Sequence, residues 1–170
     1  ESLGAPRVLC IPDQYLAKWV QSQTKVEVIA WKGACEVHER FTGEELESMR
    51  EAEPGLKIIA HPECPPDVLR IADFIGSTSA IIEWCATSDA EEFIIMTESG
   101  VMHSLQRVAP HKRFYFVPNE NCNCSECPYM RKNTLEKLRD CLLNLEPRVE
   151  LAPDLIARAA VPIERMLAVK

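Results

Sequence analysis

The sequence predicts an α/β protein, a three-layer αβα domain built on a parallel sheet and followed by carboxyl-terminal helices. Three observations predict it. Short apolar runs rich in Val, Ile and Phe alternate with longer amphipathic runs between residues 7 and 117. The alternation then stops at a polar, cysteine-rich stretch over 118–131, and two helical patterns follow with no further strand. The 170 residues are 46% hydrophobic and 26% charged, enough apolar material for a core of about one domain.

Strands are expected at 7–11, 26–31, 57–60, 73–75, 92–96 and 113–117, each short and enriched in β-branched or aromatic residues. Asp13 stands where it would cap a helix carrying Leu16, Trp19 and Val20. Thr42 and Glu45 have the spacing of a capping box ahead of Leu46 and Met49. Pro65 and Pro66 suit the first turn of a helix with Val68, Leu69 and Ala72. Further helices are expected over 79–86, 99–108, 133–145 and 153–169, with Leu135, Leu138, Leu142 and Leu145 forming an apolar stripe. Trp31 and Trp84 are expected in the core, and Cys10, Cys85 and Cys141 as small buried hydrophobes. His38, His103 and His111 are read as surface or helix-face residues.

The net charge of −7 and pI near 5.2 repel phosphate backbones, so a nucleic-acid partner is not expected. The longest stretch without Asp, Glu, Lys or Arg is 74–82, nine residues, whereas a membrane span needs about twenty. The opening Glu-Ser-Leu-Gly-Ala-Pro-Arg lacks the basic start and apolar run of a signal peptide. It also lacks an initiator Met, so a fragment of a longer protein is expected, in the reducing cytoplasm. In that compartment clustered cysteines read as metal ligands or redox thiols rather than structural disulfides.

The chemically suggestive residues share a position. Gly33-Ala34-Cys35, His61-Pro62-Glu63-Cys64, Gly76-Ser77-Thr78-Ser79, Thr97-Glu98-Ser99-Gly100 and 119–127 each follow an expected strand. Ligands of open α/β sheets bind where the carboxyl ends of the strands converge. His61 and Glu63, two apart in extended chain, point the same way. They serve either as an acid–base or substrate-orienting pair or as simple caps of a strand end and the next helix. Ser77, Thr78 and Ser79 form either a carboxylate or phosphate site at a helix start or an ordinary N-cap. A similar turn at 97–100 carries Glu98, which would repel an anion. Cys122, Cys124 and Cys127 lie within six residues and read either as metal ligands or as a redox or adventitious disulfide. A zinc site wants four ligands, usually in paired knuckles, and the second knuckle is missing. A zinc hydrolase built on His61 and Glu63 lacks an H-E-x-x-H helix or a second histidine at useful spacing.

Taken together, Trp31-Lys32-Gly33-Ala34-Cys35-Glu36-Val37-His38, His61-Pro62-Glu63-Cys64-Pro65, Gly76-Ser77-Thr78-Ser79 and Cys127-Pro128-Tyr129-Met130 resemble the carboxyl-terminal half of quinolinate synthase, in order and spacing. The resemblance implies three similar αβα domains around a pseudo-threefold axis, each giving one cysteine to a [4Fe–4S] cluster. It implies condensation of iminoaspartate with dihydroxyacetone phosphate to quinolinate, the NAD precursor, with the open iron acting as a Lewis acid. L-aspartate oxidase is the implied supplier of iminoaspartate. Carried onto this sequence, Cys35 and Cys127 match cluster ligands, and the third ligand lies outside the chain. His61, Pro62 and Glu63 match the substrate-binding motif, with His61 and Glu63 as catalytic groups. Ser77 and Thr78 match the carboxylate-binding hydroxyls. Residues 1–35 would end the second domain, 36–127 would form the third, and 128–170 would be terminal helices packing toward the absent first domain. Cys122 and Cys124 are then not ligands, and Cys124 is placed for a redox-inhibitory disulfide with Cys127. The competing expectation is a non-enzymatic α/β module whose Cys122/Cys124/Cys127 loop binds zinc or acts as a thiol switch.

Overall fold

A computed structural model describes residues 4–117 and 125–169. They fall into two compact units, one spanning Arg7–Pro128 and the other built mainly from the residues after it.

The first unit holds two parallel sheets. In the smaller, β1 (Arg7–Cys10) pairs with β2 (Glu27–Ala30), joined by helix α1 (Gln14–Gln23). The larger has the order β4-β3-β5-β6, from β3 (Lys57–Ala60), β4 (Phe74–Ile75), β5 (Glu92–Met96) and β6 (Arg113–Tyr115). Helix α2 (Gly43–Ala52) precedes β3, and α3 (Pro66–Ile71), α4 (Thr78–Thr87) and α5 (Met102–Val108) connect successive strands.

The central strands are buried on both faces, and their alternation divides the interior in two. Ile58, Ala60, Ile94 and Met96 pack with Leu46 of α2 and Val68 of α3. Ile59, Phe93 and Ile95 pack with Ile81 and Cys85 of α4 and Leu105 of α5. Helices therefore cover both faces of a parallel sheet, the expected αβα sandwich. Phe93 lies between Trp84 and Phe114, edge-on to the first at 6.0 Å and stacked on the second at 5.5 Å.

Asp13 and Ser77 cap α1 and α4, accepting from Leu16 N–H at 2.7 Å and Ala80 N–H at 3.3 Å. The capping box expected at Thr42 does not form. The Thr42 hydroxyl donates to Glu45 at 3.0 Å, and Gly43 N–H is taken by the Asp67 carboxylate of α3 at 2.8 Å. The charged acceptor from the neighbouring helix serves the first amide of α2, while the Thr42 side chain caps no amide of that helix. Trp31, expected in the core, is 58% exposed, because among the described residues no second layer closes over the end of β2. Cys85 is fully buried as expected, whereas Cys10 and Cys141 are only half-buried.

The second unit contains α6 (Leu135–Asn144), capped by Thr134, and α7 (Pro153–Leu167), with Pro162 inside it. Their apolar stripes are exposed, Leu138 and Leu142 among them. No helix among the described residues is long and apolar enough to cross a membrane.

Because Ile94 is fully buried between facing helices and strands, Ile94→Ala is expected to cost about 2–5 kcal/mol. The urea midpoint should fall with little change in slope. Leu142→Ala on exposed α6 should change the unfolding free energy by less than about 0.5 kcal/mol.

Candidate functional site

Three strand ends are laced together at the carboxyl edge of the larger sheet. Gly76 N–H donates to Ala60 O at 3.1 Å, and His61 N–H donates to Met96 O at 3.2 Å. The turn carrying Ser77 and Thr78 therefore starts beside His61, and Thr97 lies across from it. A tight turn follows: Cys64 N–H bonds His61 O at 2.9 Å, Pro62 is buried, and the Cys64 thiol donates to Met96 O at 3.3 Å. Glu63 N–H donates to His61 Nδ1 at 3.3 Å. That bond leaves the ring proton of a neutral His61 on Nε2.

His38 completes the group. It is 6% exposed, at the start of the 3-10 turn His38–Arg40 that follows Cys35. Its Nε2 pairs with the Thr97 hydroxyl at 2.9 Å. Its Nδ1 lies 3.1 Å from Glu63 Oε2, within ion-pair range, but off the line of an aligned hydrogen bond, so this buried nitrogen has no aligned partner among the described residues. The His38 and His61 rings stack at 4.8 Å and 16°. Hydroxyl, imidazole and carboxylate thus stand in a row, with a second imidazole on the first. Such a row fixes a ring orientation and moves protons between its ends.

The charges follow from the packing. Burial pushes His61 below its ordinary value of 6.5, helped by the neighbouring His38 and opposed by Glu63. The His38 imidazole 3.1 Å away, with the neighbouring His61, holds the Glu63 carboxyl below its ordinary 4.5, against the effect of burial. Glu63 is therefore ionised and His61 neutral at neutral pH.

Two cysteines border this row. Cys35 and Cys127 are half-buried and pack against the same cluster, which includes Met96, Cys64 and Val117. The Cys35 thiol, a His38 nitrogen and a Glu63 oxygen lie within 4.8 Å of one another. Thiols beside an apolar wall, with a buried imidazole nitrogen that lacks an aligned partner, form a donor set that suits a thiophilic metal centre. The fold thereby supplies the second histidine that the linear spacing lacked. Ser77 and Thr78 are exposed at the start of α4. The Ser77 oxygen is engaged in capping. Cys122 and Cys124 lie outside the described residues, and so do the three-cysteine loop and the Cys124–Cys127 pair.

His61 and Glu63 were legible in the sequence. His38 and Thr97 were not: His38 was read as a surface or helix-face residue, and it is buried within a 3-10 turn. The hint was its place three residues after Cys35, ahead of the buried Phe41.

The fold and these groups define an α/β protein with a titratable, thiol-bordered site at the carboxyl edge of a parallel sheet. The family model described as "NadA: Quinolinate synthetase A protein" matches residues 1–168. The chain is 44% identical over 164 residues to a quinolinate synthase of Prochlorococcus marinus (strain MIT 9303), covering 96% of this chain and 49% of that protein. It is 43% identical over 161 residues to one of Trichormus variabilis, covering 94% and 50%. It is 44% identical over 163 residues to one of Chloroherpeton thalassium, covering 95% and 51%. The chain belongs to the quinolinate synthetase A family, and it spans about half the length of the curated relatives it matches.

The lowered His61 value sets a pH window for stability. The unfolded chain takes up this proton near 6.5 and the folded one only at lower pH, so stability is fully present above 6.5 and declines as pH drops below it. The Glu63 contribution persists to lower pH and declines only below about 4.5. Thermal midpoints measured from pH 7 to 5 should fall, and His61→Asn should flatten that fall.

Proposed function

We propose that this chain forms part of a quinolinate synthase, condensing iminoaspartate with dihydroxyacetone phosphate to quinolinate with release of phosphate and water. The setting is NAD biosynthesis in the cytoplasm, with L-aspartate oxidase supplying the iminoaspartate. Residues 1–35 end the second αβα domain, 36–127 form the third, and 128–170 are terminal helices. The observation that carries the reading is the meeting of Glu63, His38, His61 and Thr97 beside Cys35, in a chain matched by the family model over 1–168.

Cys35 and Cys127 hold a [4Fe–4S] cluster together with a third cysteine from outside this chain. Such a cluster supplies a Lewis acid for substrate oxygens. The chain's own residues do the rest. Glu63, ionised at neutral pH, accepts a proton at its carboxylate during enolisation or dehydration. His38 steadies that carboxylate through Nδ1, while the Thr97 hydroxyl fixes the other ring nitrogen. His61, neutral and tied at Nδ1, presents Nε2–H to a substrate oxygen, with buried Pro62 fixing the turn. The free N–H groups at the start of α4 and the Thr78 hydroxyl receive a substrate carboxylate, with Ser77 shaping the turn.

The test is anaerobic purification of the complete protein, with the additional half that the relatives carry. Matched iron and sulfide are expected, and Glu63→Gln should lower kcat/KM by about 10²–10⁴ without loss of iron. The 170-residue chain alone should form no quinolinate. A colourless protein with stoichiometric zinc would overturn the reading in favour of a binding module.

A further inference from the structure

The two cysteines are held by the same device, used twice. After β1 comes Asp13, then α1, then β2, and then Cys35. After β5 comes Glu98, then α5, then β6, and then Cys127. In both repeats of the pattern the two strands are parallel partners. In both, the carboxylate after the first strand bridges two chain segments. Asp13, only 3% exposed, accepts Leu16 N–H on Oδ1 at 2.7 Å and Cys35 N–H on Oδ2 at 2.9 Å. Glu98 accepts Gly100 N–H on Oε2 at 2.7 Å and Cys127 N–H on Oε1 at 3.4 Å. Backbone bonds brace each link: Gln14 N–H to Gly33 O, and Ser99 N–H to Ser125 O, both 2.8 Å.

A helix cap needs one oxygen. In each case the second oxygen goes to the amide of a cysteine far along the chain. We propose that Asp13 and Glu98 are positioning residues that fix the Cys35 and Cys127 loops in the orientation from which their thiols bind one metal centre. This rests on the reading of Cys35 and Cys127 as ligands. It also gives Glu98 a role other than the repulsion of an anion that its position in the sequence suggested.

The experiment uses Asp13→Asn and Glu98→Gln, singly and together, in the complete protein. Asn remains a good N-cap residue, but each amide keeps one acceptor oxygen and replaces the other with a donor, so the cap and the cysteine amide cannot both be served. Amide exchange of the metal-free protein should quicken about tenfold in the affected cysteine segment, the scale of one charge-assisted hydrogen bond. Under anaerobic conditions, iron should be lost to a chelator about tenfold faster, and the electron paramagnetic resonance line shape of the reduced cluster should change. Thr134→Ala, which removes the cap of α6, should leave all three readouts unchanged. Wild-type exchange, iron retention and line shape in both variants would overturn the proposal. So would faster exchange with unchanged iron retention and line shape, which would reduce the carboxylates to helix caps. If Asp13→Asn does not fold, Glu98→Gln alone decides between these outcomes. Absence of iron and sulfide from the unsubstituted protein would overturn the ligand reading and the proposal with it. That outcome is distinct from the first, in which the cluster is present and the variants match it.

Discussion

The site depends on the double burial of β3 and β5. Each strand sends alternate residues into two separate apolar clusters. A slip of one residue would exchange every side chain between them. Register is thereby fixed, and Ala60 stands opposite Met96. The residues one step further, His61 and Thr97, must then meet at the sheet edge. No side chain in the site chooses its neighbours; the cores choose for them. The same logic explains why β3 and β5 are the most buried strands and why the polar residues begin abruptly where they end.

Within that frame, electrostatics selects a charge state. Two stacked imidazoles 4.8 Å apart oppose double protonation, and burial weighs further against a charged His61. The Glu63 carboxylate runs the other way, held ionised by the close imidazole of His38. The result is one anion beside a neutral ring, a pair whose environments drive their protonation apart. That separation lets neighbouring groups take different roles at one pH. The pair titrates as a unit, so substitution of either residue moves the other.

Much of this was legible in the sequence because it is local. Strands β1 to β6 follow runs of β-branched or aromatic residues, and Asp13, Pro66 and Ser77 open their helices by short-range chemistry. The placement of His61 and Glu63 after β3, and of Cys35 after β2 of the smaller sheet, followed from their positions just past expected strands. What was missed is long-range. His38 and Thr97 are 59 residues apart, and nothing in the spacing of either pointed to the other. Thr42 misled because its hydroxyl donates to the Glu45 carboxylate instead of accepting an amide, while Asp67 of a different helix takes the first amide of α2. Trp31 misled because large apolar side chains are read as core until the layer that would cover them is known.

The burial of two thiols makes the remaining ones addressable. Cys64 is fully enclosed and donates its proton to Met96 O, and burial pushes its ionisation far upward. Cys85 is likewise enclosed and pushed up to about 11. Neither offers a thiolate at neutral pH, so electrophiles find no nucleophile there. Cys35 and Cys127 are half-buried at the sheet edge. Among the described cysteines, covalent labelling therefore leaves Cys64 and Cys85 silent, and peptide mapping separates Cys35 and Cys127 at that edge from the half-buried Cys10 and Cys141; the same interior that fixes the register screens two of the protein's own sulfurs from the chemistry beside them.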